Sequence, residues 1–235
     1  MSVFVGTSGY SFPEWRGSFY PESLPAAGML RFYAERLDTV EINATFYRMP
    51  TEKVLASWAG EVPDGFRFAL KAPRTITHIK RLKDAADPLA YFGETACALG
   101  ARLGPLLFQL PPNLKKDLPR LTDFLALVPD SLRAAFEFRH ETWFSDDVFA
   151  ALGARGAALC LAEDDELATP FVATAPWGYL RLRKAEYGEP DLAEKADAVA
   201  RAGWSDAWVF FKHEEEGKGP RLAAAFRAAL AGRAT

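Results

Sequence analysis

The chain has 235 residues, of which 49% are hydrophobic and 25% charged, and its formal net charge at pH 7 is -3. This composition is ordinary for a globular protein with a sizeable core, and the length fits one large domain or two small ones. The net charge excludes a global basic field that would attract nucleic acid or acidic membranes, although a local basic patch remains compatible with it.

Two cysteines, Cys97 and Cys160, are too few for a disulfide framework or a cysteine-rich metal site. We expect both to be buried small apolar side chains. The N-terminus has no basic segment typical of a signal peptide, and no apolar run approaches the roughly 20 residues of a membrane-spanning helix. These features predict a cytoplasmic protein without a membrane partner.

Eight short apolar, β-rich segments recur along the chain, with helical signals between them. The predicted strands are 3–7, 39–43, 66–72, 105–110, 133–139, 157–162, 178–183 and 207–212. Apolar residues at helical spacing follow some of them, and Thr51 and Ser145 are typical helix starts. The alternation predicts an α/β fold, and eight units predict a (β/α)8 TIM-type barrel as a single domain, residues 1–235. A doubly wound open sheet is the alternative.

Strand alternation predicts which polar side chains point into the barrel, because successive residues of a strand face opposite sides. In AAFEFRHETW, residues 134–143, the two phenylalanines after Ala135 face the helices and leave Glu137 and Arg139 inside. The same reasoning places further polar residues inside: Glu41, Asn43, Arg67, Lys71, Gln109, Arg181, Arg183 and, if Val209 and Phe211 pack outward, Lys212. All but Arg67 lie near strand C-termini, where barrel enzymes place their chemistry. A net positive mouth is therefore predicted.

Five ordered motifs carry a family resemblance: GTSGYSFPEWRGSFYP, TVEINATFYRMP, FALKAPRTITH, LLFQLPPNL and AAFEFRHETW. Together they resemble the YecE-like family, domain of unknown function 72, over nearly the whole chain. The resemblance implies a TIM-type barrel but no reaction. Members commonly show Arg-x-His-Gly after the seventh strand and paired Asn after the eighth, where this chain reads RLRKAEYG and FFKHEEEGKGP. A ligand shared by the family is therefore expected to be bound differently here.

Glu41 and Glu137 are the candidate acid/base residues, since a carboxylate among cations and hydrogen bonds can hold a tuned pKa. The competing interpretation is a salt-bridge network that fills the barrel. A glycosidase pair is not favoured, because the two strands are three apart and a wide separation is expected. His140 is a third candidate, as a ligand or general base, with a helix-start role as its alternative.

No metal site and no cofactor are predicted. The chain has three histidines, His78, His140 and His213, which are widely separated in the sequence, whereas a multi-metal site normally combines several imidazoles with carboxylates. The acidic run at residues 163–166 is more typical of a solvated loop.

Two loops carry further candidates for ligand binding. The first loop contributes Tyr10 and Trp15, which could stack on a base or sugar or plug the barrel mouth. The third loop is long and basic and contributes Arg74.

The leading hypothesis is an enzyme, whether a hydrolase, a lyase or an isomerase, that acts on a small anionic substrate, phosphorylated compounds included. The predicted anion-binding residues are Lys71, Arg139, Arg181, Arg183 and Lys212, with Asn43 and Gln109 on the same face, and an anion is expected near the seventh and eighth strands. A nucleic-acid binding or processing protein is the chief rival and is not favoured by the net charge. A non-catalytic anion-binding protein is the third possibility, and the sequence does not predict an oligomeric state.

Overall fold

Eight parallel strands close into a barrel in which each strand pairs with its neighbours in chain order, and the eighth pairs with the first. The computed structural model describes residues 1–232. The strands are β1 Ser2–Ser8, β2 Thr39–Ile42, β3 Arg67–Lys71, β4 Leu103–Gln109, β5 Ala134–Glu137, β6 Ala158–Glu163, β7 Trp177–Leu182 and β8 Asp206–Phe211. The predicted α/β fold and TIM-type barrel are confirmed, and the open sheet is excluded. Residues 233–235 of the expected domain lie outside the described residues.

Seven α-helices surround the barrel within the described residues: α1 Met29–Ala34, α2 Glu52–Glu61, α3 Ala86–Ala96, α4 Leu118–Leu127, α5 Asp146–Ala154, α6 Glu189–Arg201 and α7 Lys218–Ala231. Thr51 is the N-cap of α2, and its side chain accepts a hydrogen bond from the backbone N–H of Val54. Ser145 likewise directly precedes α5.

The connection between β6 and β7, residues 164–176, contains no helix, which departs from the expected alternation. Two prolines interrupt this segment, and proline disfavours a helix interior. Thr174 fastens the segment to the barrel instead: its hydroxyl accepts from the N–H of Leu159 and donates to the carbonyl of Ala157. A second departure concerns Cys97, which was expected to be buried but is exposed at the end of α3.

The core has two layers, one on each face of the barrel wall. The outer layer packs Phe68, Phe108 and Phe136 against the helices. The inner layer contains Ala69, Leu107, Ala135, Ala158, Cys160, Trp177, Tyr179, Trp208 and Phe210. Because Trp208 and Phe210 point inward, Lys212 continues on the inner face, which is the register expected of β8. The lower barrel is thus filled with apolar side chains, and polar chemistry is confined to its C-terminal end.

No helix in the described part of the chain combines the length and the apolar character needed to cross a bilayer.

Candidate active site

A buried guanidinium joins the two carboxylates that the sequence singled out. Arg181, on β7, contacts Glu41 of β2 through Nη2 at 2.7 Å and Glu137 of β5 through Nη1 at 2.5 Å. The side chains of both glutamates are 0% exposed and that of Arg181 is 2% exposed. Two carboxylates on distant strands therefore share one cation at the barrel axis, which places the guanidinium where a glycosidase would need substrate or water.

Each carboxylate has further donors. Glu41 also accepts a hydrogen bond from the Tyr179 hydroxyl at 2.7 Å. Glu137 accepts from Gln109 at 2.9 Å and from Nε of Arg139 at 2.9 Å, and it lies 3.1 Å from Nη2 of Arg183. Removing either carboxylate would leave Arg181 buried with one counter-charge fewer.

The surroundings of Glu137 hold its carboxylate ionised. Burial by itself raises the pKa of Glu137, but the charges of Arg181 and Arg139 and the hydrogen bond from Gln109 outweigh burial and lower the pKa to about 2. A group with so low a pKa is a weak base and carries no proton to donate near neutral pH. The geometry thus fits Glu137 as an anchor for cations better than as a general acid.

Lys71, at the end of β3, is in the opposite situation. Its Nζ lies 4.3 Å from the centre of the Phe46 ring, and no carboxylate of the described residues is within salt-bridge distance of it. Burial lowers the pKa of Lys71 to about 8, and the charge of Arg181 adds to this effect. Its amino group therefore changes protonation state close to neutral pH, unlike an exposed lysine.

The floor of a cavity of about 500 Å³ at the C-terminal end of the strands is formed by Lys71, Gln109, Arg139, Arg181 and Arg183. Residues from the loops after β1 and β2 complete its wall, among them Tyr10, Phe12 and Tyr47. The lining cations are Lys71, Arg139, Arg181, Arg183 and Lys212, and the lining acid is Glu214. Even with Glu41 and Glu137 beneath the floor, cationic residues outnumber acidic ones, so the cavity favours a negatively charged ligand.

The predicted ligand-binding residues differ in whether their polar groups are still available to a ligand. Asn43, Lys71, Gln109, Arg139, Arg183, Lys212 and Tyr10 line the cavity. Arg139 uses Nε for Glu137, which leaves its two Nη groups available, and Lys212 is exposed. Arg181 also lines the cavity, but its forked face is occupied by the two glutamates, so the expected fork onto an oxyanion at Arg181 is replaced by a structural ion network.

Three further candidates lie away from the cavity wall. Trp15 is 0% exposed, and its Nε1 donates to the carbonyl of Glu214 at 2.9 Å, so it is a core residue that no ligand can stack on. His140 accepts a hydrogen bond from the N–H of Thr142 through Nδ1, which also lies 3.0 Å from the Thr142 hydroxyl, and this is the helix-start role. Arg74 is exposed in the loop after β3 and does not line the cavity.

Within residues 1–232 no group of three or more His, Cys, Asp or Glu side chains has the arrangement of a metal site. The acidic run contributes ion pairs instead: Glu163 lies 2.7 Å from Nζ of Lys195, and Asp164 lies 3.3 Å from Nη2 of Arg183.

Sequence reasoning missed several residues of the site. Tyr179 follows from the alternation already applied to Arg181, since the two share a face of β7. Ser8 lies one residue beyond the predicted first strand, and its buried hydroxyl has no partner within the described residues. Phe46 and the 76% exposed Tyr47 belong to the loop after β2, for which strand alternation gives no signal.

Comparison with known proteins agrees with this architecture. The family model described as "Protein of unknown function DUF72" matches residues 4–235. The protein YecE of Escherichia coli strain K12 is 30% identical over 144 residues, covering 61% of this chain and 50% of YecE. YunF of Bacillus subtilis strain 168 is 25% identical over 151 residues, covering 61% of this chain and 52% of YunF. The chain thus spans about half the length of these curated relatives.

Solved structures extend the similarity to the whole barrel. A DUF72 family protein from Thermotoga maritima has a TM-score of 0.85 and 25% sequence identity, covering 98% of this chain and all (100%) of that one. A DUF72 family protein from Enterococcus faecalis has a TM-score of 0.79 at 18% identity, covering 98% of each chain, and shows the fold alone.

Proposed function

We propose a function from the site itself, because the chain belongs to the DUF72 family, whose description assigns no reaction. The chain is an enzyme that binds a small anionic substrate in the cavity at the C-terminal end of the barrel. Lys71 is its proton-transferring or nucleophilic group. This differs from the expectation that Glu41 or Glu137 would be the acid/base residue, since both are committed to Arg181.

The observation that supports the proposal is that some cations of the site are paired with carboxylates and others are not. Arg181 is saturated by carboxylates, whereas Lys71 and Lys212 have no carboxylate within salt-bridge distance among the described residues, and Arg139 keeps two free Nη groups. A network built only to fill the barrel would pair its half-buried cations, because an uncompensated half-buried charge is costly, and Lys71 is half-buried with no carboxylate of the described residues within salt-bridge distance. An anionic ligand would supply the missing counter-charge.

The test is a titration of thermal stability with phosphate, sulfate and short-chain carboxylates. Each bound anion is expected to raise Tm, because a ligand that binds only the folded state stabilises it. Arg139→Ala is expected to weaken anion affinity by about tenfold, the equivalent of about 1.4 kcal/mol.

Lys53→Ala is the matched control, because Lys53 is an exposed cation on α2 outside the cavity. It removes the same unit of charge and should leave the Tm shift unchanged. An anion-induced Tm shift that is equal in Arg139→Ala and the parent, or no Tm shift in the parent, would overturn the proposal. A parallel titration with a short oligonucleotide that gave the larger shift would favour the nucleic-acid hypothesis.

A further inference from the structure

We infer that Lys71 is a covalent nucleophile that forms an imine with an anionic carbonyl substrate, an aldehyde or ketone bearing a carboxylate or phosphate. This rests on the proposed function, since it requires an anion in the same cavity. It adds the substrate class and the identity of the reacting atom.

The position of the amine supports this role. Lys71 ends β3 on the inner face and reaches into the cavity, with its Nζ against the Phe46 ring rather than against a carboxylate. The Phe46 ring covers one side of the amine and forms a cation–π contact with its ammonium form, while burial and the charge of Arg181 lower the pKa of Lys71 to about 8. A lysine desolvated in this way beside another cation is an activated nucleophile toward carbonyls.

The charges around Lys71 fit both the substrate and the product of this step. The charged or titratable groups that influence it are Arg181, Glu41, Glu137 and Arg139, and the neighbouring His78 is influenced by Lys71 in turn. The free Nη groups of Arg139 and the ammonium of exposed Lys212 can hold the anionic end of the substrate. The buried carboxylates of Glu41 and Glu137 lie beneath the cavity floor, and their negative charge would stabilise a positively charged imine nitrogen on Lys71.

The step balances without an oxidant or a reductant. The neutral Nζ attacks the carbonyl carbon, a C–N bond forms, and the carbonyl oxygen takes up a proton while the nitrogen loses one. A second proton, taken from solvent, then protonates the hydroxyl of this neutral carbinolamine, the C–O bond breaks, water leaves, and the nitrogen lone pair forms the C=N bond. The products are a protonated imine and one water molecule, and the imine withdraws electrons from the adjacent carbon.

The experiment traps the imine on the full chain with glyoxylate and cyanoborohydride, followed by peptide mass spectrometry. The hydride reduces the C=N bond and leaves a carboxymethyl group on the modified lysine. Modification of Lys71 is expected to be at least roughly tenfold faster than that of the exposed Lys53, because burial lowers the pKa of Lys71 to about 8 and leaves a substantial fraction of its amine neutral near pH 7.5. The rate at Lys71 should level off above its pKa of about 8.

Matched probes separate the two proposals. Propanal offers an aldehyde without a charge and should label Lys71 more slowly than glyoxylate. Glycolate offers the charge without the carbonyl and should compete with glyoxylate for Lys71 but not for Lys53. Lys71→Arg keeps the positive charge and should lose the adduct at residue 71 while still binding glycolate.

The outcomes are distinguishable. Glycolate binding, seen as a Tm shift, together with labelling of Lys71 no faster than that of Lys53 would overturn the imine inference and leave the anion site standing. No binding of any anion and no preferential labelling would overturn both. Since trapping and competition are measured on the parent protein, the result does not depend on how the variant folds.

Discussion

Glu137 and Lys71 lie at the same end of the barrel but experience opposite electrostatic environments. Glu137 is fully buried and has three hydrogen-bond donors and one further ion-pair partner, whereas Lys71 is half-buried and its Nζ lies over the Phe46 ring. A satisfied buried charge specifies structure, and an unsatisfied one is retained at a cost to stability. The contrast supports the proposal that Glu137 has a structural role and that Lys71 carries the chemistry.

Glu137→Gln is expected to destabilise the protein by about 3 kcal/mol or more, because it leaves Arg181 with a single counter-charge in a buried site. The measurement is urea unfolding followed by circular dichroism. Glu214→Gln is the control, since Glu214 is exposed at the cavity rim and its loss should change stability by no more than about 0.5 kcal/mol. Equal effects of the two variants would show that the network contributes little to folding.

Lys71→Met is expected to raise stability near pH 7 while abolishing imine trapping. Burial lowers the pKa of Lys71 to about 8, so folding opposes protonation of a group that is charged in the unfolded chain. Replacing the Lys71 amine should therefore raise the free energy of unfolding by about 1 kcal/mol, after allowance for solvent screening at the cavity mouth. The gain should disappear above pH 10.5, the ordinary pKa of this group, because both states are then neutral. A variant less stable than the parent at pH 7 would contradict this account.

Strand alternation was the most informative signal in the sequence. It placed Glu41, Glu137 and Arg181 on the inner face because the outer face of a barrel strand must be apolar. It could not show that one guanidinium bridges β2 and β5, since that depends on closure of the barrel across strands far apart in sequence. It also could not place Trp15, because an aromatic loop residue looks the same whether it plugs the core or faces a ligand.

The close approach of β1 to both β2 and α1 depends on the absence of a side chain at Gly6. A Cβ there would lie 1.8 Å from the carbonyl oxygen of Thr39 and 2.9 Å from the Tyr33 hydroxyl. That hydroxyl accepts from the N–H of Thr7 at 2.8 Å and donates to Thr39 at 2.9 Å. Gly6 therefore lets the helix tyrosine cross-link the first two strands.

Gly6→Ala is accordingly expected to destabilise the barrel by more than about 3 kcal/mol, because backbone atoms must move to admit the methyl group. Gly60→Ala is the matched control: Gly60 is exposed in α2, and a Cβ there meets nothing within 4 Å. That substitution should stabilise by about 0.5–1 kcal/mol through helix propensity. Thermal unfolding of both variants tests the pair, and a tolerated alanine at residue 6 would exclude the close approach.

In the (β/α)8 fold, the apolar core, the ion network and the cavity follow one another along the barrel axis. Apolar layers fill the lower barrel, and the ion network closes it above, directly under the cavity. The count of strands and the family were predictable from the sequence because both rest on local patterns. The absence of a helix between β6 and β7 was not predictable, because any segment that satisfies the backbone hydrogen bonds can connect two strands. Here the Thr174 side chain supplies such hydrogen bonds to the start of β6.

The ion network also sets how the whole molecule responds to acid. The pKa of Glu137 is about 2 in the folded protein against an ordinary value of 4.5, so the folded state binds fewer protons between these two values. Its stabilising contribution is complete above pH 4.5, falls as the pH drops, and is lost near pH 2. The shift corresponds to a contribution on the order of 3 kcal/mol. Carbon-13 NMR of the Glu137 carboxyl should show no titration between pH 7 and 4, and Glu137→Gln should flatten the dependence of unfolding free energy on pH in the acid window. A carboxyl inflection near 4.5 would mean that Arg181 does not hold Glu137 ionised, and the division of roles between Glu137 and Lys71 would then fail.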